Sequence, residues 1–415
     1  MPRSTRSTTA QMPFAGALLL ASLAVSWSID FFFFTGLTSF PDEERILASA
    51  MNLAATGEFN VAGARAWEMP GAAAFFSIPI LVFGPEHAVA AIRVMQSLLL
   101  VLQAGLVGIT ASRIFGDTRT GRIAAFVTAF YPFLVFYQGL LLSETLFNTF
   151  LVAGMAGVYW WRSRGGKLDA VFVLACACFA AATWTKATLT FVPPLVFAAA
   201  TLGLPNAARR CATVFVASAV LYAALLSPWG VRNHALFGDF VPLTTSAGQN
   251  LYLGNNPANL RAGIDWSTDV QPDVVARIEA LPGELDRQRE YNKAALAYIA
   301  SEPGAFIQNA AKKLIRFWNI VPNAQQYSSG WYRWITALSF GPILVLALVS
   351  AVAERRRFAT LLPVYLLFAY FTAVHTITIA SLRYRLPLEP FLILLAARPI
   401  AAFYMISAGR FAKHP

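Results

Sequence analysis

Phe40-Pro41-Asp42-Glu43-Glu44-Arg45 stands between one long apolar run and a chain that stays apolar for most of its remaining length. Three carboxylates and a guanidinium sit together where a hydrophobic segment first meets water. Their meaning depends on what kind of chain surrounds them. Of 415 residues, 57% are hydrophobic and only 13% are charged, against roughly 25% charged in soluble proteins. Mean hydropathy is +0.56. A soluble fold of this composition would lack polar surface, so the class is an all-α polytopic membrane protein. The net charge of +11 points to basic cytoplasmic turns and not to a nucleic-acid partner. Cys176, Cys178 and Cys211 lie in or beside apolar runs, without ligand spacing to histidine. They read as small core residues, with no disulfide framework and no metal site.

Working outward from the acidic stretch, runs long enough to cross a bilayer fall at roughly 12–35, 86–112, 122–141, 145–161, 169–185, 187–204, 212–230, 332–353, 358–379 and 386–408, about ten spans. The first follows Arg3 and Arg6 and reads as a signal anchor. With the N-terminus in the cytoplasm, alternate turns fall inside, and they carry Arg113, Arg119 and Arg122; Arg162, Arg164 and Lys167; Arg209 and Arg210; Arg355, Arg356 and Arg357; then Arg410 and Lys413. Every inside segment is basic, as the positive-inside rule requires. The expected placement is a multi-pass plasma (inner) membrane protein with both termini cytoplasmic.

The opposite side holds 36–85, with Asp42, Glu43, Glu44, Glu58, Glu68 and a short apolar run from Gly71 to Phe83. That run is short for a span and reads as a helix lying in the interface or re-entering it. A longer outer segment, 231–331, ends in two helices divided at Glu302-Pro303-Gly304. The second places Phe306, Ala310, Leu314 and Phe317 on one face and Lys312, Lys313 and Arg316 near the other, as an amphipathic surface helix does. The chain thus divides into a transmembrane core (1–230) with its first outer loop (36–85), an outer segment forming a small cap (231–331), and C-terminal spans (332–415). No internal repeat is visible.

Charges at membrane depth or at span ends are costly, and by default they mark function. Asp42 has two readings: a helix cap after Pro41, or a general base at the membrane surface. Glu144 is either a solvated turn residue beside Ser143 or a second acid facing the same cavity. Lys186, between two apolar runs, either snorkels to the interface or binds an anion. Arg232, Arg383 and Arg385 add outer cations at span ends, and guanidinium and ammonium groups both hold phosphate. His87, His234, His375 and His414 share no ligand spacing. There is no Gly-x-Ser-x-Gly elbow and no P-loop.

These residues carry a resemblance. Asp42-Glu43 with Arg45, the stretch Ala50 to Phe59, Trp67-Glu68-Met69-Pro70, Tyr131-Pro132, Leu142-Ser143-Glu144-Thr145-Leu146-Phe147, Trp184-Thr185-Lys186, Pro228-Trp229-Gly230-Val231-Arg232-Asn233, Asn250 with Leu253-Gly254-Asn255-Asn256-Pro257, and Arg383-Tyr384-Arg385-Leu386-Pro387-Leu388-Glu389-Pro390 occur in that order. The chain resembles the GT-C fold polyprenyl-phosphate-dependent glycosyltransferases, glycosyltransferase family 39, of the protein O-mannosyltransferase and lipid A aminoarabinose transferase type. The match covers nearly the whole chain, without the large soluble C-terminal domain of some relatives. Met69 stands where the aminoarabinose transferases place a lysine, which puts that substrate pair in doubt.

The resemblance implies an inverting transfer of a sugar from a polyprenyl-phosphate donor to a hydroxyl of a lipid, protein or glycan acceptor, on the periplasmic or outer face. It implies Asp42 as the base, Lys186, Arg383, Arg385, Arg45 and Arg232 as donor-phosphate ligands, and Glu43, Glu144 and Glu68 as sugar or acceptor contacts. It requires no metal and no cofactor. The competing class is a transporter or lipid flippase, which would show an inverted repeat or helices broken at mid-membrane.

Overall fold

In lipid every backbone amide must find its partner inside its own segment, so long apolar runs become helices. The computed structural model describes residues 11–34, 38, 40–322 and 330–411. Arg3, Arg6 and Lys413, three of the cations expected on the basic side, lie outside the described residues, as does the side chain of Arg410. Among the described residues there is no strand, only an isolated bridge between Val61 and Ala64.

The order is α1 (Gln11–Phe33), α2 (Pro41–Thr56), α3 (Gly71–Phe83), α4 (Pro85–Phe115), α5 (Thr118–Ala129), α6 (Pro132–Gly139), α7 (Glu144–Ser163), α8 (Ala170–Thr185), α9 (Val192–Ala200), α10 (Ala207–Phe237), α11 (Ala247–Gly254), α12 (Pro272–Glu279), α13 (Glu284–Ser301), α14 (Pro303–Trp318), α15 (Gly330–Ala353), α16 (Phe358–Ile377), α17 (Leu382–Arg385) and α18 (Glu389–Phe411).

Six helices are long and apolar enough to cross a bilayer, and α5 with α6, bent by 46° at Phe130-Tyr131, makes a seventh candidate. The expected ten is therefore not reached by length and composition. The shortfall is local. α8 has 16 residues and α9 only nine, because the chain leaves the helix between Lys186 and Phe191 and re-enters it just before Pro193-Pro194. The short run at Gly71–Phe83 forms a separate helix of 13 residues, as its flanking Pro70 and Gly84-Pro85 predict.

Small residues let the bundle close. A Cβ on Gly121 would lie 2.5 Å from the Gly108 carbonyl oxygen, so α4 and α5 pack backbone to backbone. The basic turns converge at one end. Arg357 Nη1 donates to the Ile114 carbonyl at 3.0 Å, Arg210 Nη1 to that of Gly165 at 2.6 Å, and Arg398 Nε to Glu354 at 2.7 Å.

The faces of α14 depart from their expected arrangement. Lys313 is 1% exposed and faces inward with Asn309 and Phe317, while Leu314 and Ile315 are exposed. The surface under this helix is made of carbonyls and amides of the 254–259 turn, so polar side chains pack there better than leucine does.

Close approach also fixes α3. A Cβ on Gly71 would meet the Trp184 carbonyl oxygen at 2.6 Å, so the start of α3 sits directly on the end of α8, two residues before Lys186. Gly71→Ala must push these backbones apart and is expected to cost about 1–3 kcal/mol, seen as a lower melting temperature in detergent. An unchanged melting temperature would mean that this contact is not close.

Candidate active site

Three loop-borne or helix-end segments meet over the α7 N-terminus. The first is the start of α2. Pro41 occupies its first turn, and Glu43 caps it by accepting from the Phe40 amide at 3.0 Å. The second oxygen of Glu43 accepts from the Leu141 amide at 2.7 Å, and the residue is fully buried. Capping therefore falls to Glu43 and leaves Asp42, one position earlier, free for other partners. The second segment is the break after α8, which carries Lys186. The third is the short α17, whose Ser381 hydroxyl accepts from the Arg383 amide at 3.4 Å.

Their charges interlock. Asp42 Oδ1 accepts from Arg45 Nη1 at 2.6 Å, and Asp42 Oδ2 from Arg383 Nη1. Arg383 Nε donates to Glu144 Oε1. The same oxygen accepts from Lys186 Nζ at 2.7 Å. Arg45 Nη2 reaches Glu68 at 3.4 Å and its guanidinium lies 4.6 Å from the centroid of the Trp67 ring. Asp42, Glu68 and Glu144 are thus balanced by Arg45, Lys186 and Arg383. Among the described residues, Glu144 Oε2 is a buried acceptor without a donor and Arg45 Nε a buried donor without an acceptor. A buried polar atom left in that state is costly. The Asp42 side chain is 36% exposed.

Burial alone would push the Asp42 carboxyl up, but the guanidiniums of Arg383 and Arg45 outweigh it and hold the group below the usual aspartate value. Glu68 goes the other way: burial dominates and, with the Asp42 charge, raises it despite Arg45. Asp42 is therefore an ionised, weak base, and Glu68 is the first of the two to take a proton on acidification.

Two residues read from the sequence as phosphate ligands lie elsewhere. Arg385 is fully buried. It pairs with Glu389 at 3.1 Å, donates to the Asn319 carbonyl at 2.6 Å, and packs 3.4 Å from the Phe340 centroid. Helical spacing explains this, since two residues on a short helix point apart. Arg232 donates to the Arg65 carbonyl at 2.9 Å and covers Trp229 at 4.3 Å. That ring stands 6.0 Å from Trp184, so Arg232 lies behind two tryptophans from Lys186.

The sequence reading overlooked a second polar set. Gln138 Nε2 donates to Asp30 at 3.1 Å. Arg93 bridges the carbonyls of Gly139 at 3.1 Å and Phe34 at 3.0 Å. This set ties the end of α1 to the α6–α7 connection on which Glu43 also rests. A lone acid inside one apolar run and a lone arginine inside another were the available signals. Glu284 was overlooked too. It accepts from the Arg65 and Ala66 amides at 2.7 and 3.0 Å and from the Thr245 hydroxyl, which fastens α13 to the segment before α3.

An apolar cavity of about 490 Å³ is lined by Leu146, two residues after Glu144, and by Trp184-Thr185, just before Lys186, together with Phe75, Phe150 and Leu225. The charged residues of the cluster are its chain neighbours and do not line it.

No protein-family model and no curated protein sequence matches this chain. Solved structures do. An oligosaccharyltransferase of Archaeoglobus fulgidus, tethered to an acceptor peptide containing the NVT sequon, aligns over 96% of this chain and 51% of that one, at 14% identity and TM-score 0.59. The AglB oligosaccharyltransferase of the same organism, with an inhibitory peptide and a dolichol-phosphate, aligns over 98% and 52% at 14% identity and TM-score 0.56. ArnT of Cupriavidus metallidurans, bound to undecaprenyl phosphate, aligns over 95% and 79% at 15% identity and TM-score 0.44. The chain spans about half the length of the oligosaccharyltransferases. The two oligosaccharyltransferase structures share this chain's architecture, and at the level of fold the GT-C likeness read from the sequence is borne out; with its long apolar helices the chain is an integral membrane protein.

The opposed carboxyl shifts predict opposed pH behaviour. Asp42 has a depressed folded pKa, so its pairing contributes stability above the unfolded value of about 3.9, and this is lost as pH falls through the folded value. Glu68 has a raised folded pKa, so its ionisation costs stability as pH rises through that value. At neutral pH, Asp42→Asn is expected to lower the melting temperature by a few degrees and Glu68→Gln to raise it. At the acid end, the Glu68→Gln difference should vanish below the ordinary glutamate value and the Asp42→Asn difference only below the depressed folded value of Asp42. Thermal unfolding in detergent across that range checks the signs.

Proposed function

We propose that this chain is an inverting membrane glycosyltransferase, which moves a sugar from a polyprenyl-phosphate donor to a hydroxyl acceptor. The observation that carries the reading is the adjacency of a charge cluster, with cations and carboxylates on separate elements, to an apolar cavity. A lipid phosphate has that same division between an ionic head and an apolar tail. The fold favours this reading over a transporter or flippase, and the placement of the charges at one end of the bundle agrees with it.

In this reading the isoprenoid tail occupies the cavity beside Leu146 and Trp184, each buried methylene contributing about 0.8 kcal/mol. The phosphate takes Lys186 and Arg383 as ligands, drawing them away from Glu144 and Asp42. The site is charge-balanced before the donor arrives, so entry of an anion exchanges one set of partners for another and does not fill an empty cationic pocket. Asp42, released from Arg383, accepts a hydrogen bond from the acceptor hydroxyl. The hydroxyl oxygen bonds to the anomeric carbon from the face opposite the phosphate. The carbon–oxygen bond to phosphate breaks, its electron pair leaving on the phosphate oxygen, and the hydroxyl proton passes to Asp42. A weak base suits a transition state in which the bond to the leaving group breaks early and the proton leaves late. Arg383 and Lys186 stabilise the charge that develops on the departing phosphate.

Glu144 Oε2 and Glu68 are the carboxylates placed to contact sugar or acceptor hydroxyls. Glu43 serves by holding α2 in place, and Arg385 by holding α18 to α14. The cluster faces the periplasmic or extracellular side, and the basic turns gathered at the other end are cytoplasmic, as the positive-inside rule orders them. The acceptor is a lipid, protein or glycan hydroxyl.

Asp42→Asn tests the reading. Transfer of a labelled sugar from a polyprenyl-phosphate donor is expected to fall by at least about 10²-fold, while the protein still binds polyprenyl phosphate, since the cations remain. Undiminished transfer would remove Asp42 from the mechanism.

A further inference from the structure

The motif Leu253-Gly254-Asn255-Asn256 plays no part in the chemistry above, yet all four residues are buried. Asn255 donates to the carbonyls of Leu251 and Ile377, each at 2.9 Å. Asn256 donates to that of Asp269 at 2.9 Å. Asn309 on α14 donates to the Asn259 carbonyl at 3.1 Å. A network of buried amides thus holds the irregular stretch 254–270 against two helices. At its centre is Lys313. Its ammonium donates to Asn255 Oδ1 at 3.0 Å and to the Ile377 carbonyl at 3.2 Å. Among the described residues it makes no ion pair, and burial pushes it down to about 7. Through these two bonds it ties α14 to the 255 turn and to the last turn of α16.

What hangs from that turn is Arg383. A Cβ on Gly254 would meet the Thr378 carbonyl oxygen at 1.8 Å, so the 254–255 backbone is wedged against the end of α16. Beyond it the chain reverses over 378–381 into α17. Ile379 packs with Tyr252, Leu253 and Tyr291 in a separate small core, with Tyr384 against it. The Tyr384 ring also stacks on His375 at 4.7 Å. Arg385 anchors α17 to the end of α14, to α15 and to α18, while the reversal before α17 is held between α16 and the 247–318 layer, and Lys313 joins those two.

We propose that Lys313, with Asn255, is a positioning residue for Arg383. It locks the α16–α17 reversal to the cap layer and so sets where the Arg383 guanidinium stands between Asp42 and Glu144. The catalytic consequence rests on the transferase reading; the positional one does not.

Two measurements separate them. In Lys313→Met, backbone amides of 378–385 are expected to exchange with solvent deuterium about tenfold faster, with α4, α5 and α7 unchanged. Asn255→Ala, which removes only the amide, should give the same local pattern. Unchanged exchange at 378–385 in either variant, or a uniform rise over the whole bundle, would overturn the proposal. For transfer, Lys313→Met is expected to lower kcat/KM about tenfold in the wild type and by less than about twofold when Arg383 is already lysine, because residues acting through one another are not additive. An equal loss in both backgrounds would overturn it. Wild-type protein with no transfer from any polyprenyl-phosphate sugar would sink the transferase reading and leave the exchange result to decide the positional claim.

Discussion

One guanidinium, that of Arg383, bonds to Asp42 at the start of α2 and to Glu144 at the start of α7. It lies 341 residues beyond the first and 239 beyond the second. Each carboxylate has a second cation, Arg45 at Asp42 and Lys186 at Glu144, and Arg383 is the cation the two share. An unpaired charge there would be expensive, and the pairing is what makes the cost tolerable. The surrounding architecture serves this contact. Glu43 takes over the capping of α2, so Asp42 is released. Gly71 lets α3 close on the end of α8, so Lys186 comes within reach of Glu144. Glu284 fastens the cap helices to the loop that carries Glu68.

A charge-balanced cluster is also a constraint on function. Three carboxylates already occupy three cations, so a phosphate gains a site only by displacing internal partners. Under the proposed function, affinity would then come largely from the apolar cavity beside Leu146 and Trp184. A soluble phosphate ester without a lipid chain would have little to offset the broken ion pairs. Under the proposed function, selectivity for a lipid-borne phosphate would follow from the balance of charges as much as from the shape of the cavity.

Composition and charge order were enough to read the membrane class, the separate short helix at Gly71–Phe83 and the division of α13 from α14 at Pro303. Each rests on a local rule: apolar run length, flanking proline, or the exclusion of charge from lipid. The meeting of Asp42, Glu144, Lys186 and Arg383 was legible because each is a charge at the end of an apolar run on the same side of the expected topology. Arg385 and Arg232 fit the same description and lie elsewhere. The rule places residues on a surface and says nothing of direction around a helix. The buried Lys313 was misread for a related reason. Helical periodicity assumes that the inner face meets hydrocarbon, whereas α14 meets backbone carbonyls. Asp30 and Arg93 did carry a signal, as single charges inside apolar runs, and were hidden by reading those runs as uniform.

The account turns on a lipid phosphate at the Lys186–Arg383 pair. A structure determined with undecaprenyl phosphate bound tests this most directly. The account predicts phosphate oxygens within hydrogen-bond distance of Lys186 Nζ and the Arg383 guanidinium, the Arg383–Asp42 contact opened, and the isoprenoid chain running past Leu146 and Trp184. A headgroup bound at another face, with the Arg383 bridge between Asp42 and Glu144 intact, would contradict it.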